Sequence, residues 1–176
     1  MGETGDTLNQ AIQSTTLRTG KYLTFTLADE EYGIGILKVK EIIGMMAITS
    51  VPRTPDFVKG VINLRGKVIP VIDLRLKFGM DAIPYTDRTC IIVVEIDADE
   101  MTIQIGIVVD SVSEVLNIKQ EEIEKTPSFG TSVNTDYILG MAKIDSGVKI
   151  LLDIDRVLST IELATLQQTN KEKDHE

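Results

Sequence analysis

Cys90 and His175 are the only cysteine and histidine in the 176 residues. A Cys/His zinc site, or a serine or cysteine nucleophile activated by histidine, would have to use His175, which lies in the polar stretch 170–176. A single cysteine also leaves no disulfide framework within one chain. The carboxylates offer more. Asp73 and Asp153 are matched by an internal repeat and could form an acid–base pair, but each closes a strand where aspartate caps the following turn. Asp97, Asp99 and Glu100 could hold a divalent ion, yet they lack the spacing and bidentate glutamate of a calcium loop and read as a solvated turn. Gly33-Ile34-Gly35 starts like a dinucleotide fingerprint, but its third glycine would fall at Lys38. Cys90 opens an apolar run and reads as a core or interface residue. Arg65, in Asn63-Leu64-Arg65-Gly66, stands apart: an exposed turn arginine offers a rigid five-donor fork to a partner.

Composition narrows the classes further. Eighteen basic against 27 acidic residues give a net charge of −9, which argues against a nucleic-acid partner. Hydrophobic residues make up 43% of the chain, so it has a core to build. The first twenty residues lack the apolar segment of a secretory signal, and no apolar run approaches the ~18 residues of a membrane helix. Asp6 stands where a myristoylation motif wants Ser or Thr. The expectation is a cytoplasmic protein with no membrane insertion and no cofactor.

The elements that must position these residues are mostly strands. Leu23, Phe25 and Leu27 alternate with Tyr22, Thr24 and Thr26, which predicts a half-buried strand. Strand-like runs at 61–64 and 67–74 flank the Arg65-Gly66 turn, and 90–96 reads as a buried strand. Turn residues at 97–100 then lead to a return strand over 101–109, and another strand covers 148–152. Ile154, Val157, Leu158 and Ile161 fall at helical spacing behind Asp153, predicting an amphipathic C-terminal helix to about Gln167. Residues 1–19 read as a mobile arm and 167–176 as a mobile tail.

An internal repeat organises the body. Residues 33–42 match 106–115 at an offset of 73, with Gly, Ile, Val and Glu identical. Residues 57–74 match 137–154 at an offset of 80, with Gly60/Gly140, Val68/Val148 and Asp73/Asp153 identical. Two short β units of this kind most naturally close into small barrels. The copies differ in charge. Residues 53–77 carry six basic and two acidic groups, net +4, whereas 133–157 carry three and four, net −1. Ile36, Val39, Ile42 and Ile43, echoed by Val109, Val112, Val115 and Leu116, could divide between barrel cores and a groove where barrels meet.

These residues resemble a known family. Glu31-Tyr32-Gly33-Ile34, Val39-Lys40-Glu41-Ile42, the run from Pro55 through Asn63-Leu64-Arg65-Gly66, and Pro70-Val71-Ile72-Asp73-Leu74-Arg75 look like the CheW domain of bacterial chemotaxis, and the second half matches at Gly106-Ile107-Val108-Val109-Asp110 and Tyr137-Ile138-Leu139-Gly140. The resemblance covers about 21–161 and is similar to the stand-alone form.

The resemblance implies a mainly β fold of two SH3-like five-stranded barrels packed side by side. One CheW-like domain would span 20–166, with barrel one at about 30–84, barrel two at about 85–150 and the termini exchanged between them. It implies a non-enzymatic adaptor linking the cytoplasmic tip of methyl-accepting chemoreceptors to the regulatory domain of the histidine kinase CheA, recruited to receptor arrays. The implied receptor-facing set is Ile36, Val39, Lys40, Glu41, Arg65, Val108 and Val112, with Gly60 and Asn63 shaping the turn; the implied kinase-facing set is Cys90, Ile91 and Ile92. Two other readings stay open: an adaptor of a related pathway serving pilus motility or gene regulation, and a small β-barrel enzyme working through carboxylates.

Overall fold

The computed structural model describes residues 20–98, 100–127, 136–159 and 162. The mobile arm expected over 1–19 and the mobile tail expected over 167–176 lie outside these residues. Eleven strands form among the described residues: β1 (Gly20–Leu27), β2 (Glu30–Gly35), β3 (Val39–Gly44), β4 (Val58–Leu64), β5 (Lys67–Asp73), β6 (Cys90–Ala98), β7 (Met101–Val109), β8 (Ser111–Ile118), β9 (Ile123–Glu124), β10 (Ile138–Ile144) and β11 (Gly147–Leu152). A four-residue helix, α1 (Leu74–Lys77), follows β5. The five-stranded sheet runs β3-β6-β7-β5-β4, and a bridge between Thr49 and Val61 joins the segment after β3 back to β4. The six-stranded sheet runs β8-β1-β2-β11-β10-β9.

The sheets divide the chain differently from the expected split at 30–84 and 85–150. Residues 39–109 supply the whole first sheet, while 20–35 and 111–152 supply the second. The reason lies in the hairpins. The first hairpin, β1–β2, leaves its own repeat to pair with β8 and β11, and the second, β6–β7, pairs with β3 and β5. Each exchange makes a parallel seam at a glycine. Gly33 faces Leu151 and Gly106 faces Val71, and these are equivalent pairs under the two repeat offsets. A Cβ on Gly106 would lie 2.7 Å from the Ile91 side chain of β6, so glycine is needed where β7 packs beside it.

The repeat is also visible in finer detail. The β4–β5 ladder slips between Val58 and Gly60, and the β10–β11 ladder slips between Ile138 and Gly140. The Asp73 amide donates to the Phe57 carbonyl at 2.7 Å, and the Asp153 amide to that of Tyr137 at 2.8 Å.

Three clusters fill the interior. The largest draws on both sheets, with Leu23, Phe25 and Leu27 from β1 meeting Ile92, Val94 and Ile96 from β6. A second, including Ile62, Ile69, Ile91 and Val93, belongs to the first sheet, and a third, around Tyr22, Ile118 and Leu151, to the second. β6 therefore alternates between two buried faces, which explains its unbroken apolar run. The same holds for β1, expected to be half-buried: Tyr22 and Thr24 are as covered as Leu23 and Phe25, because its outer face closes the second sheet's own core.

Two local expectations change. Asp97 and Ala98 belong to the β6–β7 ladder, which runs on to the pair Ala98 with Met101, so the turn is tighter than 97–100. Asp153 caps a turn as expected, but the turn is a short 3-10 segment, Ile154–Arg156. Beyond it, the Ser159 amide donates to the Glu162 carboxylate and the Glu162 amide to the Ser159 hydroxyl. Most of the predicted helix beyond it lies outside the described residues.

Candidate functional site

Arg65 sits at the tip of the β4–β5 hairpin, where Arg65 and Gly66 both take positive φ, 51° and 85°. That is a type I′ turn, which matches strand twist but favours Asn or Gly at both positions. Asn63 stabilises it by accepting the Gly66 amide on Oδ1 at 2.8 Å. An arginine held in a left-handed conformation is thereby aimed sideways. Its fork donates to both carboxylate oxygens of Glu41 on β3, with the Nη1–Oε2 distance at 3.3 Å. The Glu41 carboxylate holds the Arg65 guanidinium still more firmly protonated than usual. The Arg65 side chain remains 71% exposed, so the pair is presented to solvent.

Gly60 lies beneath this pair at the β4 slip. Its φ is 141°, and a Cβ there would come within 2.0 Å of the Thr49 carbonyl oxygen. The glycine lets the Thr49–Val61 bridge close the sheet on which Arg65 and Glu41 stand. Lys40, next to Glu41, is exposed and pairs with Glu95 on β6 at 2.7 Å.

The apolar members of the expected receptor set divide. Ile36, Val39 and Val112 are half-buried and pack on the cluster shared by the sheets, and Val39 and Val112 are equivalent in the repeat. Ile36 begins the 3-10 turn Ile36–Lys38 that carries the chain from β2 into β3. Val108 is different. It is 3% exposed inside the first sheet's own cluster, so it supports this region from below and lines no surface.

The expected kinase-facing set needs a larger correction. Ile91 and Ile92 are fully buried, because β6 is flanked by β3 and β7 and both its faces are covered. Cys90 alone is partly open, with its Sγ donating to the Arg88 carbonyl at 3.1 Å. Among the described side chains of this strand, a surface is therefore limited to Cys90, Glu95 and Asp97.

The carboxylates considered for catalysis act on main chain. Asp73 is 4% exposed, accepts the amides of Arg75 and Leu76 as the α1 cap, and also accepts the Tyr85 hydroxyl at 3.1 Å. That bond, with burial first and the Asp73 charge second, raises the Tyr85 pKa. Asp153 accepts the Asp155 amide, and burial followed by the Asp155 charge holds its own pKa above the usual range. Among the described residues no group of three His, Cys, Asp or Glu could hold a metal ion, and no helix is long and apolar enough to cross a membrane.

Two charged clusters escaped the sequence reading. Arg75 and Asp110 join the end of β5 to the link between β7 and β8. Lys38 donates to Asp97 at 3.1 Å and to Asp155 at 3.0 Å, and Asp155 also accepts the Asp97 amide at 3.0 Å. Burial disfavours the Lys38 charge, but the two carboxylates outweigh it and raise its pKa. Leu37, beside Lys38, is 89% exposed at a position that the repeat matches to Asp110. Comparing charge at matched positions was the signal that could have found them.

The family model for the CheW-like domain matches residues 21–162. The chain belongs to the CheW family. It is 42% identical over 151 residues to the chemotaxis protein CheW of Klebsiella aerogenes, covering 86% of this chain and 89% of that one. It is 36% identical over 138 residues to the CheW of Helicobacter pylori, covering 78% and 81%. Its fold matches the crystal structure of the scaffolding protein TtCheW from Thermoanaerobacter tengcongensis with a TM-score of 0.71 at 37% identity, covering 82% of this chain and 95% of that one. The CheW assignment agrees with the mainly β architecture of two packed sheets and with the Arg65 turn from which the resemblance was drawn.

Proposed function

We propose that this chain is a non-enzymatic scaffold of bacterial chemotaxis signalling that couples the cytoplasmic tip of methyl-accepting receptors to the histidine kinase CheA. The observation that carries the reading is the solvent-facing Arg65–Glu41 pair, mounted on a turn whose two central residues both take positive φ, while Ile36, Val39 and Val112 stay half-buried against the cluster shared by the sheets. A coiled-coil receptor tip offers an apolar stripe with charged flanks, and such a surface suits it. The charged pair would set register and partner choice more than raw affinity. Lys40 stands on the same face, while Gly60, Asn63 and Val108 shape and support it. For the kinase, Cys90 stays as a contact, and Ile91 and Ile92 act by keeping β6 in place.

The reading is tested by reconstituting the chain with receptor tip fragments and CheA, and measuring complex formation and kinase control. A chain that binds neither partner, or binds both without changing kinase output, overturns it. A pull-down from the native cell also identifies the receptor and kinase paralogues, which separates flagellar chemotaxis from pilus or gene-regulatory pathways.

A further inference from the structure

The exchanged hairpins pose a problem of choice. Both seams use a glycine against an aliphatic residue, both host ladders slip at the same place, and both strand ends bond to an aromatic residue's carbonyl. The main chain offers either hairpin the same berth.

The side chains do not. Val39 pairs with Val94 and Ile42 with Ile92, while their repeat equivalents Val112 and Val115 pair with Phe25 and Leu23. β6 therefore corresponds to β1 residue by residue, with Glu95 equivalent to Thr26 and Asp97 to Ala28. On the host strands, Lys38 is equivalent to Ser111 and Lys40 to Ser113. In the first sheet these positions form two ion pairs, Lys38–Asp97 at 3.1 Å and Lys40–Glu95 at 2.7 Å. In the second sheet the same positions hold Ser111 and Ser113 against a hairpin bearing Thr26 and Ala28, and Ser113 donates to Glu31 of that hairpin at 3.3 Å. A third contact has the same sense in both sheets and does not discriminate: Lys149 pairs with Glu31, and Lys67 donates to its equivalent, Gln104.

We infer that Lys38 and Lys40 are an address that admits the β6–β7 hairpin to the first sheet and refuses the β1–β2 hairpin. The β1–β2 hairpin in the first sheet would set Ala28 and Thr26 where Asp97 and Glu95 now stand, so Lys38 would keep only Asp155 and Lys40 would lose Glu95. The β6–β7 hairpin in the second sheet would in turn bring Asp97 beside Asp110, a like-charge contact where Ala28 now offers only its amide. Partner choice through matched charges at equivalent positions is the rule by which coiled-coil helices sort.

The test uses the full chain with Cys90→Ser, Thr26→Cys and Ser111→Cys. Residues 26 and 111 face each other in the native ladder, so a disulfide between them reports the correct hairpin in the second sheet. Each variant is unfolded in guanidinium, refolded under reducing conditions, oxidised, and assayed for the cross-linked monomer. Lys38→Ser with Lys40→Ser is expected to lower the cross-linked fraction by at least about twofold. Lys40→Glu alone is expected to lower it as well, and Lys40→Glu with Glu95→Lys to restore it. Equal cross-linking in all variants overturns the inference, as does a paired reversal no better than Lys40→Glu alone. Should the serine variant fail to refold, the comparison between the two Lys40→Glu variants decides.

Discussion

Arg75 grips Asp110 with two parallel bonds, Nε to Oδ1 at 2.8 Å and Nη2 to Oδ2 at 2.7 Å, and the same carboxylate accepts the Ala28 amide at 2.9 Å. One side chain thus ties the end of β5, the link between the sheets, and a hairpin turn whose Ala28 and Asp29 both have positive φ. Removing the charge by Asp110→Asn should cost about 1.5–3 kcal/mol, the range for hydrogen bonds to a charged group. Urea unfolding of the two chains measures it, and equal midpoints would refute the assignment.

The same group gives a pH signature. Burial pushes the Asp110 pKa up, but Arg75 and the Ala28 amide pull harder, so the net shift is downward. A depressed folded pKa means that Asp110 contributes its stability above the unfolded carboxylate value near 4, and loses it as pH falls through the lower folded value. Asp153, shifted upward, works in the opposite sense. The acid limb of a stability–pH curve should therefore be shallower in Asp110→Asn than in the parent.

Arg65→Glu places a carboxylate beside Glu41 on a side chain that is 71% exposed. The chain should fold with little change in melting temperature and fail to assemble with receptor and kinase. Normal kinase control by this variant would remove Arg65 from the interaction surface.

Val39→Asp should weaken receptor binding more than kinase binding, with Val39→Ala as the control for the packing Val39 makes on the shared core. Pull-downs showing equal losses, or a loss only toward the kinase, reject the groove. Ile92→Ala, by contrast, should cost about 2–5 kcal/mol of stability. Any kinase defect should then vanish at low temperature, where the fold is retained.

Gly60→Ala should be worse than Gly140→Ala, although the repeat makes them equivalent. At Gly60 the new Cβ meets backbone at 2.0 Å and a positive φ, whereas at Gly140 its nearest neighbour is the Ile123 side chain at 2.8 Å. Thermal melts of the two variants check the order.

The sequence revealed the repeat, the Arg65 turn and the family, because these depend on local residue identity. It placed the barrel boundary elsewhere because the hairpin exchange is decided by pairing between residues as far apart as Gly20 and Ile118, where period-two alternation carries no partner information. Ile91 and Ile92 illustrate the same limit. An apolar strand reads alike whether its second face meets a partner protein or its own chain, and here both faces are claimed within the molecule. Val108 failed for that reason too, whereas Val39 and Val112 lie where strands enter the sheets and stay half open.

The first sheet is contiguous in the chain and the second is split around it. Synthesis from the N-terminus therefore delivers the β1–β2 hairpin first and its hosts, β8 and β11, last. While residues 39–109 emerge and close, the β1–β2 hairpin has neither of its sheet partners, β8 and β11, although Leu23, Phe25 and Leu27 can already meet β6 of the nascent first sheet. Both edges of that early hairpin are paired only after residue 152 has left the ribosome, so the order of translation, as much as final stability, bears on how this molecule is built.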